Sequence, residues 1–395
     1  MNNYSKIILK SGKEQSINRY HPWIFSGAIK LIKGNLKEGD IVEVVSNHNE
    51  FLALGHYQIG TIAVRIFSFE KAEINADFWE NKIQNAYNLR KKIGFIDNKE
   101  TNVFRLVHGE GDGMPGAIID FYNGTAVTQF HSIGMYLERQ TFAKALKNIF
   151  SDKLNAVYDK SETTIPFKSE INATNEYLLG KNNTNIVSEY GNKFRVDWKE
   201  GQKTGFFIDQ RENRKLLEYY SKDKTVLNVF GYTGGFSVYA MKGGAKLVHS
   251  VDSSNKAIEL TDENIALNFT DTSRHKSFAV DAFSYLKDIK DKYDLIILDP
   301  PAFAKHNKAL NNALKGYKKI NTRAFEQIRP GGILFTFSCS QAVSKKHFRE
   351  AVFSAAAISG RKVKILHQLT QPADHPVNIY HPEGEYLKGL VLYVE

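Results

Sequence analysis

A glycine-rich turn after a strand-like run is the first pattern in the chain that can bind a ligand. The run TVLNVF leads into Gly231, Gly234 and Gly235, and Asp252 ends the next run, KLVHSVD, 21 residues after Gly231. Glycines let the backbone approach a ligand closely at a helix N-terminus, and an acid at that distance suits a ribose diol. Although the turn is not GxGxxG, it predicts a nucleoside-type cofactor, nicotinamide or S-adenosylmethionine (SAM), in preference to a turn that serves packing alone.

The acid at the end of the run DLIILDPP is a second candidate for chemistry. Pro300 and Pro301 have no backbone N–H, so the strand ends there and the chain turns outward with Asp299 at the cleft. Phe303 follows within reach of a stacked base. An acid followed by two prolines is also an ordinary strand terminator, but after a nucleoside-binding turn it favours methyl transfer over hydride transfer.

The only cysteine, Cys339, follows a third buried run, in GGILFTFSCS. A lone cysteine is by default an inert apolar residue. Here it lies between Ser338 and Ser340 at the predicted active edge of a sheet, and a helix beginning near Ser344 would favour its thiolate. Methylation at carbon 5 of a pyrimidine needs such a thiolate, because its addition at carbon 6 makes carbon 5 nucleophilic. Nitrogen methylation needs none.

The elements that must position these residues alternate between strand and helix in the last half of the chain. Continuous apolar strands separated by amphipathic helices predict a buried, mostly parallel sheet with helices on both faces. We expect a helix from Tyr232, a second one through Asn268, and others over Asn312–Ile328 and Lys345–Ile358. Because such sheets bind ligands at the carboxyl ends of their strands, the three patterns are expected at one edge.

Two smaller units precede this sheet. Short β-like runs split by turns, among them KIILK and TIAVRIFSF, predict a small barrel or sheet, and an α+β unit with a helix over 135–150 follows it. A hairpin that turns at Gly191-Asn192 leads into the last unit. The predicted domains comprise residues 1–72, 73–190 and 191–395.

Composition limits the function classes. With 42% hydrophobic and 24% charged residues among 395, the chain is not mainly disordered. No apolar run approaches the roughly 18–20 residues of a membrane helix, and the N-terminus does not read as a signal peptide, so we predict a cytoplasmic protein without a membrane span. The single cysteine excludes a disulfide framework and a Cys-based zinc site. The net charge of +10 is compatible with a polyanionic partner.

These motifs together resemble a known family. GYTGGF at 231–236, Asp252, the acid-Pro-Pro segment and FSCS lie where class I SAM-dependent methyltransferases carry their motifs. GQKTGFFIDQR at 201–211, ADHPV at 373–377 and GEYLKG at 384–389 are similar to the RlmI-type large-subunit ribosomal RNA (cytosine-C5) methyltransferases. The resemblance covers most of the chain. It implies an N-terminal PUA domain, which is a small β-barrel, a central α+β domain of the EEHEP type and a C-terminal Rossmann-like α/β methyltransferase domain.

The resemblance also implies the site residues. Cys339 would attack the cytosine, and Asp299 is the second catalytic candidate. Asp252 would hold the SAM ribose, and Asp281 would lie near the adenine. The residues expected to bind SAM are Phe230, Gly231, Tyr232, Thr233, Gly234, Gly235, Asp252, Ser253, Asp281, Asp299 and Pro300. Those expected to bind the substrate are Pro301, Phe303, Lys203 and Arg211.

Two further segments carry alternatives. Lys203, Arg211 and Arg214 are candidates for phosphate contacts, in a segment that is also a turn before a helix beginning at Asp209. Asn264 either steadies the cofactor turn or is a solvated helix residue. No metal site is expected.

Three functions fit the sequence. The first is a methyltransferase that forms 5-methylcytosine in large-subunit ribosomal RNA. The second is a SAM enzyme that methylates a base nitrogen, and the third is a non-catalytic RNA-binding protein with a methyltransferase fold. Ala302 stands where some cytosine-C5 RNA methyltransferases carry a second cysteine, so the base that takes the carbon-5 proton is open, with Asp299 and a water as candidates. The sequence leaves the target nucleotide and a homodimer open.

Overall fold

The structure is a computed structural model, and it describes residues 4–166, 171–182, 184–304 and 307–395. The chain divides into two compact units. The first unit comprises residues 1–188, 196–208 and 373–384, and the second comprises residues 189–195, 209–372 and 385–395. Two segments expected with the third predicted domain therefore pack within the first unit. The predicted domain boundaries themselves stay predictions.

The first unit begins with a small sheet. Its elements are β1 Ser5–Leu9, α1 Gln15–Asn18, β2 Trp23–Phe25, β3 Ile29–Lys33, β4 Ile41–Val45, β5 Phe51–Tyr57 and β6 Ile62–Ser68. The strand order is β2-β6-β5-β4-β1-β3, and β1 and β4 are parallel while the other neighbours are antiparallel. Alternate residues, such as Ile7 with Leu9 and Val42 with Val44, point into its core.

A second sheet completes the first unit. Its elements are α2 Ala76–Lys92, β7 Val103–His108, β8 Ala117–Tyr122, β9 Thr125–Phe130, α3 Ile133–Leu137, α4 Arg139–Phe150, β10 Ala156–Asp159 and β11 Glu176–Gly180. The strand order is β11-β10-β9-β8-β7. The helix predicted over 135–150 is wrong in its extent, because Glu138 separates two helices and the first starts earlier. A Cβ on Gly134 would lie 2.1 Å from Cγ of His56 on β5, so tertiary packing rather than propensity decides where α3 lies.

The second unit contains the predicted, mostly parallel sheet. After the hairpin strands β12 Ile186–Glu189 and β13 Asn192–Arg195, its elements are α5 Arg211–Tyr220, β14 Thr225–Val229, α6 Gly235–Lys242, β15 Leu247–Asp252, α7 Asn255–Asn268, β16 His275–Ala279, α8 Ala282–Tyr285, β17 Leu295–Leu298, α9 Leu310–Gln327, β18 Gly332–Ser338, α10 Lys345–Ser359, β19 Val363–Leu369 and β20 Lys388–Val394. The order is β16-β15-β14-β17-β18-β20-β19. The first five strands in that order are parallel, and β20 runs antiparallel to both its neighbours. The prediction of a mostly parallel sheet is confirmed.

Three local predictions need correction. The hairpin turns at Tyr190 and Gly191, whose φ values of 49° and 76° are the positive pair of a type I′ turn, one residue earlier than predicted. Helix α6 begins at Gly235 and not at Tyr232, because Tyr232 and Gly234 have positive φ and cannot be part of an α-helix. Helix α5 begins at Arg211, after a 3₁₀ turn that contains Asp209. Over the described residues, no helix combines the length and apolarity that a membrane span requires.

His56 on β5 is enclosed by aromatic rings in the first unit. Its side chain is buried, and its ring centroid lies 4.8 Å from that of Phe67 and 5.8 Å from that of Trp79. Burial disfavours the charged imidazolium and lowers the pKa of His56 to about 3. The folded chain therefore keeps this imidazole neutral over the pH range in which an unfolded chain protonates it.

We expect the free energy of unfolding to fall as the pH drops below 6.5. Below that pH the unfolded chain binds a proton at His56, whereas the folded chain binds it only near pH 3. His56 lowers the free energy of unfolding at pH 5 by about 2 kcal/mol relative to its value at neutral pH. Urea unfolding at pH 7 and pH 5 should show a smaller loss for His56→Leu than for the wild type. The exposed His48 gives the control, since His48→Leu should keep the full loss. Equal losses in all three proteins would contradict this account.

Candidate active site at the carboxyl edge of the seven-stranded sheet

The glycine turn after β14 has a strained backbone, and side chains of α7 bind it through hydrogen bonds. Phe230 and Tyr232 have φ values of 62° and 46°, which non-glycine residues rarely adopt. Gly234 has φ 73°, and a Cβ there would lie 2.7 Å from Cγ2 of Thr261, so this position needs glycine. The Thr261 hydroxyl donates to the carbonyl of Tyr232 at 2.9 Å. Because the turn is strained, it depends on such contacts to keep its conformation.

Asn264 is the second contact between α7 and this turn. Its side chain is fully buried, its amide nitrogen donates to the Thr233 carbonyl at 2.8 Å, and its amide oxygen accepts from the Arg195 backbone N–H at 2.7 Å. Of the two interpretations of the sequence, the one in which Asn264 steadies the turn is confirmed, and the solvated helix residue is wrong.

Asp252 lies where a ribose-binding acid is expected, at the carboxyl end of β15. Its Oδ2 accepts from the backbone N–H of Tyr232 at 3.1 Å, and its Oδ1 accepts from that of Ser254 at 3.0 Å. A carboxylate has about four acceptor positions, so these two bonds fix its orientation and leave capacity for a diol. Ser253 and Asp281 are exposed at neighbouring strand ends, and Asp281 caps α8 through the Ser284 N–H at 2.8 Å.

Asp299 follows β17, and a chain of buried amides orients its carboxylate. The Gln210 amide donates to Oδ2 of Asp299 at 3.1 Å, and the Asn213 amide donates to Oε1 of Gln210 at 2.6 Å. Asp299 is half-buried, Pro300 is buried and Pro301 is exposed. Sequence reasoning missed both amides; the available signal was two polar residues at the start of a helix that follows a 3₁₀ turn.

Cys339 follows β18 in a polar, enclosed stretch. It is half-buried, whereas Ser338 and Ser340 on either side are fully buried. Both serine hydroxyls bond the Tyr317 hydroxyl of α9 at 2.9 Å, and Phe303 packs on the Tyr317 ring with centroids 4.7 Å apart. The Tyr317 phenol thus anchors both neighbours of the thiol, a role that sequence reasoning missed because α9 is a separate element.

The two arginines predicted to contact phosphates are buried in the structure. Arg214 makes two hydrogen bonds with the buried Glu189 carboxylate, at 2.8 and 2.7 Å, and lies under the start of α6. The phosphate role of Arg214 is therefore wrong, because its guanidinium is already paired out of reach of a ligand. The Arg211 side chain is likewise fully buried and donates to Glu212 at 3.3 Å, so a phosphate contact is not available to it in this conformation.

Lys203 lies in the first unit and is exposed, with its ammonium 4.6 Å from the centroid of the Phe207 ring. It stays a predicted substrate contact. Among the described residues, no group of three or more His, Cys, Asp or Glu side chains is arranged to hold a metal ion.

Comparison with known proteins bears on the chemistry of this edge. A family model described as S-adenosylmethionine-dependent methyltransferase matches residues 104–381, and one described as a PUA-like domain matches residues 7–69. The chain is 40% identical over 396 residues to the ribosomal RNA large subunit methyltransferase I of Vibrio vulnificus (strain CMCP6), with 98% of this chain and 99% of that protein covered. It is 38% identical over 393 residues to the protein of the same name from Aeromonas salmonicida (strain A449), with 98% of each covered.

A solved structure shows the same fold. It is a putative SAM-dependent methyltransferase from Streptococcus mutans, which superposes with a TM-score of 0.84 at 24% identity and covers 98% of this chain and 100% of its own. The two predicted fold classes, a PUA-like domain at the N-terminus and a class I methyltransferase domain at the C-terminus, are confirmed.

The contact between Asn264 and Thr233 predicts a specific loss of cofactor affinity. Asn264→Asp replaces the donor to the Thr233 carbonyl by an acceptor, so the turn loses its support. We expect the dissociation constant for S-adenosylhomocysteine, measured by calorimetry, to rise about 5- to 30-fold, which corresponds to about 1–2 kcal/mol. The matched control is Asn268→Asp, one helical turn further on, where the side-chain amide bonds the backbone of Lys193 and of Asn264 and not the turn. An unchanged constant for Asn264→Asp would contradict the role of this contact.

Proposed function

The chain belongs to the ribosomal RNA large subunit methyltransferase I family of SAM-dependent methyltransferases, and from that premise we propose that it forms 5-methylcytosine in large-subunit ribosomal RNA. The observation that carries the carbon-5 chemistry is the position of Cys339. The half-buried thiol follows β18, on the same sheet edge as Asp299 after β17 and the glycine turn after β14. An acid and a thiol are thus presented beside a cofactor turn, as thiolate-assisted methylation requires.

The turn and its neighbours suit SAM. The residues that would hold it are Phe230, Gly231, Tyr232, Thr233, Gly234 and Gly235 in the turn, Asp252, Ser253 and Asp281 at the next strand ends, and Asp299 with Pro300 at the methyl-transfer cleft. The fit rests on the Asp252 carboxylate, which the turn itself orients and which keeps acceptor capacity for a ribose diol. When bound, SAM supplies an electrophilic methyl group.

The residues of this chain then act on the cytosine. The Cys339 thiolate adds to carbon 6, which forms an S–C bond and makes carbon 5 an enamine-like nucleophile. The electron pair of the former carbon 5–carbon 6 double bond takes the methyl group, so that the methyl–sulfur bond of the donor would break with its electrons on sulfur and S-adenosylhomocysteine would leave, and a base removes the proton from carbon 5. The electrons of that C–H bond restore the ring double bond and expel the thiolate, so the cysteine is regenerated. Asp299 and a water remain the candidates for the base, and the Gln210 amide holds Asp299 in place.

A nitrogen methyltransferase is the second candidate function. It is favoured by Asp299 and the two prolines, since an acid at a rigid strand end can accept a hydrogen bond from an exocyclic amine without any thiol. The two functions differ in whether they need Cys339.

Substitution of the thiol separates these functions. We expect Cys339→Ala to lose 5-methylcytosine formation by at least about 1000-fold, because the chain has no second thiol that could add to carbon 6. The measurement is bisulfite sequencing of ribosomal RNA from a deletion strain that carries either the wild-type gene or the variant. Binding of S-adenosylhomocysteine should be unchanged, which shows that the variant is folded and that the fold is not vestigial.

A covalent trap gives an independent readout of the same step. RNA containing 5-fluorocytosine should form a stable adduct with the wild type, because fluorine at carbon 5 blocks the final elimination, and no adduct should form with Cys339→Ser. Full methylation by Cys339→Ala would contradict the carbon-5 proposal and favour methylation of a nitrogen.

The net charge of +10 and the PUA-like domain support binding to RNA through phosphates. We expect the logarithm of the affinity for ribosomal RNA fragments to fall linearly with the logarithm of the salt concentration. Replacing the exposed Lys203→Ala should reduce that slope by about one, if its ammonium contacts a phosphate. Lys153→Ala is the control, since this exposed lysine is already paired with Asp97. A salt-independent affinity would contradict phosphate contacts.

A further inference from the structure

Lys388 is the first residue of β20 and lies beside the end of β18. In the antiparallel register of these strands it is the partner of Ser338, the residue before Cys339. Its side chain is buried, and its ammonium donates to the Ser340 carbonyl at 2.6 Å and to the Val343 carbonyl at 2.7 Å. The loop that follows the thiol therefore wraps around a buried cation.

The charge of this lysine interacts with the thiol. Burial lowers the pKa of Lys388 to about 8, because desolvation disfavours the ammonium, while the negative charge of Cys339 raises it. At pH 7 the amine is still mainly protonated, so a positive charge is present when the enzyme works under neutral conditions. Such an interaction is mutual, and a cation that is stabilised by a thiolate stabilises that thiolate equally.

Other charged groups face the same place from the elements packed around it. Lys345 at the start of α10 disfavours the Lys388 ammonium, and Glu385 before β20 favours it. Lys345 and Glu385 are paired with each other at 2.7 Å and are both exposed, so solvent screens them. Arg349 of α10 lines a cavity of about 160 Å³ together with Lys388. On α9, burial raises the pKa of Tyr317, so its phenol is neutral and contributes no charge.

We propose that Lys388 is a positioning residue for the methylation reaction. Its ammonium holds the loop after Cys339 through hydrogen bonds to two backbone carbonyls, and its charge favours the thiolate form of Cys339. The proposal rests on the proposed function, in which that thiolate attacks the cytosine. A glutamine at this position keeps a hydrogen-bond donor for the loop but has no charge, and an arginine keeps the charge. The two variants therefore separate the electrostatic effect from the structural one.

The test uses alkylation of the full-length protein by iodoacetamide as a function of pH, without RNA or SAM. Because Cys339 is the only cysteine, the reaction reports on this thiol alone. We expect Lys388→Gln to move the midpoint of the alkylation profile upward by about one pH unit, so that alkylation at pH values well below the wild-type midpoint slows about 10-fold. Lys388→Arg should stay close to the wild type. Lys345→Gln, which removes an exposed charge from the same neighbourhood, should leave the midpoint nearly unchanged.

Two outcomes would overturn the proposal. One is an unchanged midpoint in Lys388→Gln, and the other is an equal shift in Lys388→Gln and Lys388→Arg, which would assign the effect to loop geometry. Thermal unfolding checks that each variant is folded. If Lys388→Gln is not folded, NMR titration of the Lys388 ammonium decides, since in Cys339→Ser it should titrate at a lower pH than in the wild type, and equal titration overturns the proposal. Because alkylation needs no methyl transfer, its result is independent of whether Cys339→Ala still methylates cytosine.

Discussion

The chemistry of this protein depends on the parallel alignment of β14, β15, β17 and β18. In parallel strands all carboxyl ends meet at one edge, and the residues just beyond them are then neighbours although they are far apart in sequence. The four residues of β17 are completely buried, so a shift of one residue in its register would move Asp299 relative to the edge and draw a flanking aspartate, Asp294 or Asp299, into the buried part of the sheet. The buried apolar side chains of the strands thus fix where the polar residues just beyond the strand ends lie.

The cofactor turn shows how a strained conformation is stabilised by its surroundings. Positive φ at Phe230 and Tyr232 is unfavourable for an isolated chain. The turn is kept in this form because α7 supplies two side-chain bonds to its carbonyls, from Thr261 and Asn264, and because Asp252 accepts the Tyr232 N–H. The acid that is predicted to hold the ribose therefore also orders the turn. From this dual use we expect cofactor binding and turn conformation to be coupled.

Which features of the fold and the site could be predicted from the sequence depends on how far apart in the chain the interacting residues are. Strands, helices and the three strand-end motifs depend on local patterns, and the sheet agrees with the prediction, whereas the structure was needed to decide between the two alternatives for Asn264. Two of the failures involve partners distant in the chain. Arg214 resembles a phosphate ligand until Glu189, 25 residues earlier, is found to pair with it inside the protein. Helix α3 starts early because Gly134 packs against His56, and no local pattern contains that contact.

Arg214 and Lys388, two of the buried cations of the second unit, illustrate a general constraint. Removing a charge from water costs free energy, which a buried ion must recover from its partners. Arg214 recovers it from a carboxylate that binds it through two oxygens, and the pair supports the start of α6. The hydrogen-bond acceptors of Lys388 are instead two neutral carbonyls, and the groups whose negative charge favours its ammonium are Glu385 and the thiolate form of Cys339. Since a well-packed apolar side chain is often at least as stabilising as a buried ion, stability alone does not account for a lysine at this position. In the proposed function a cation beside the thiol has a use, since it favours the thiolate that attacks the cytosine.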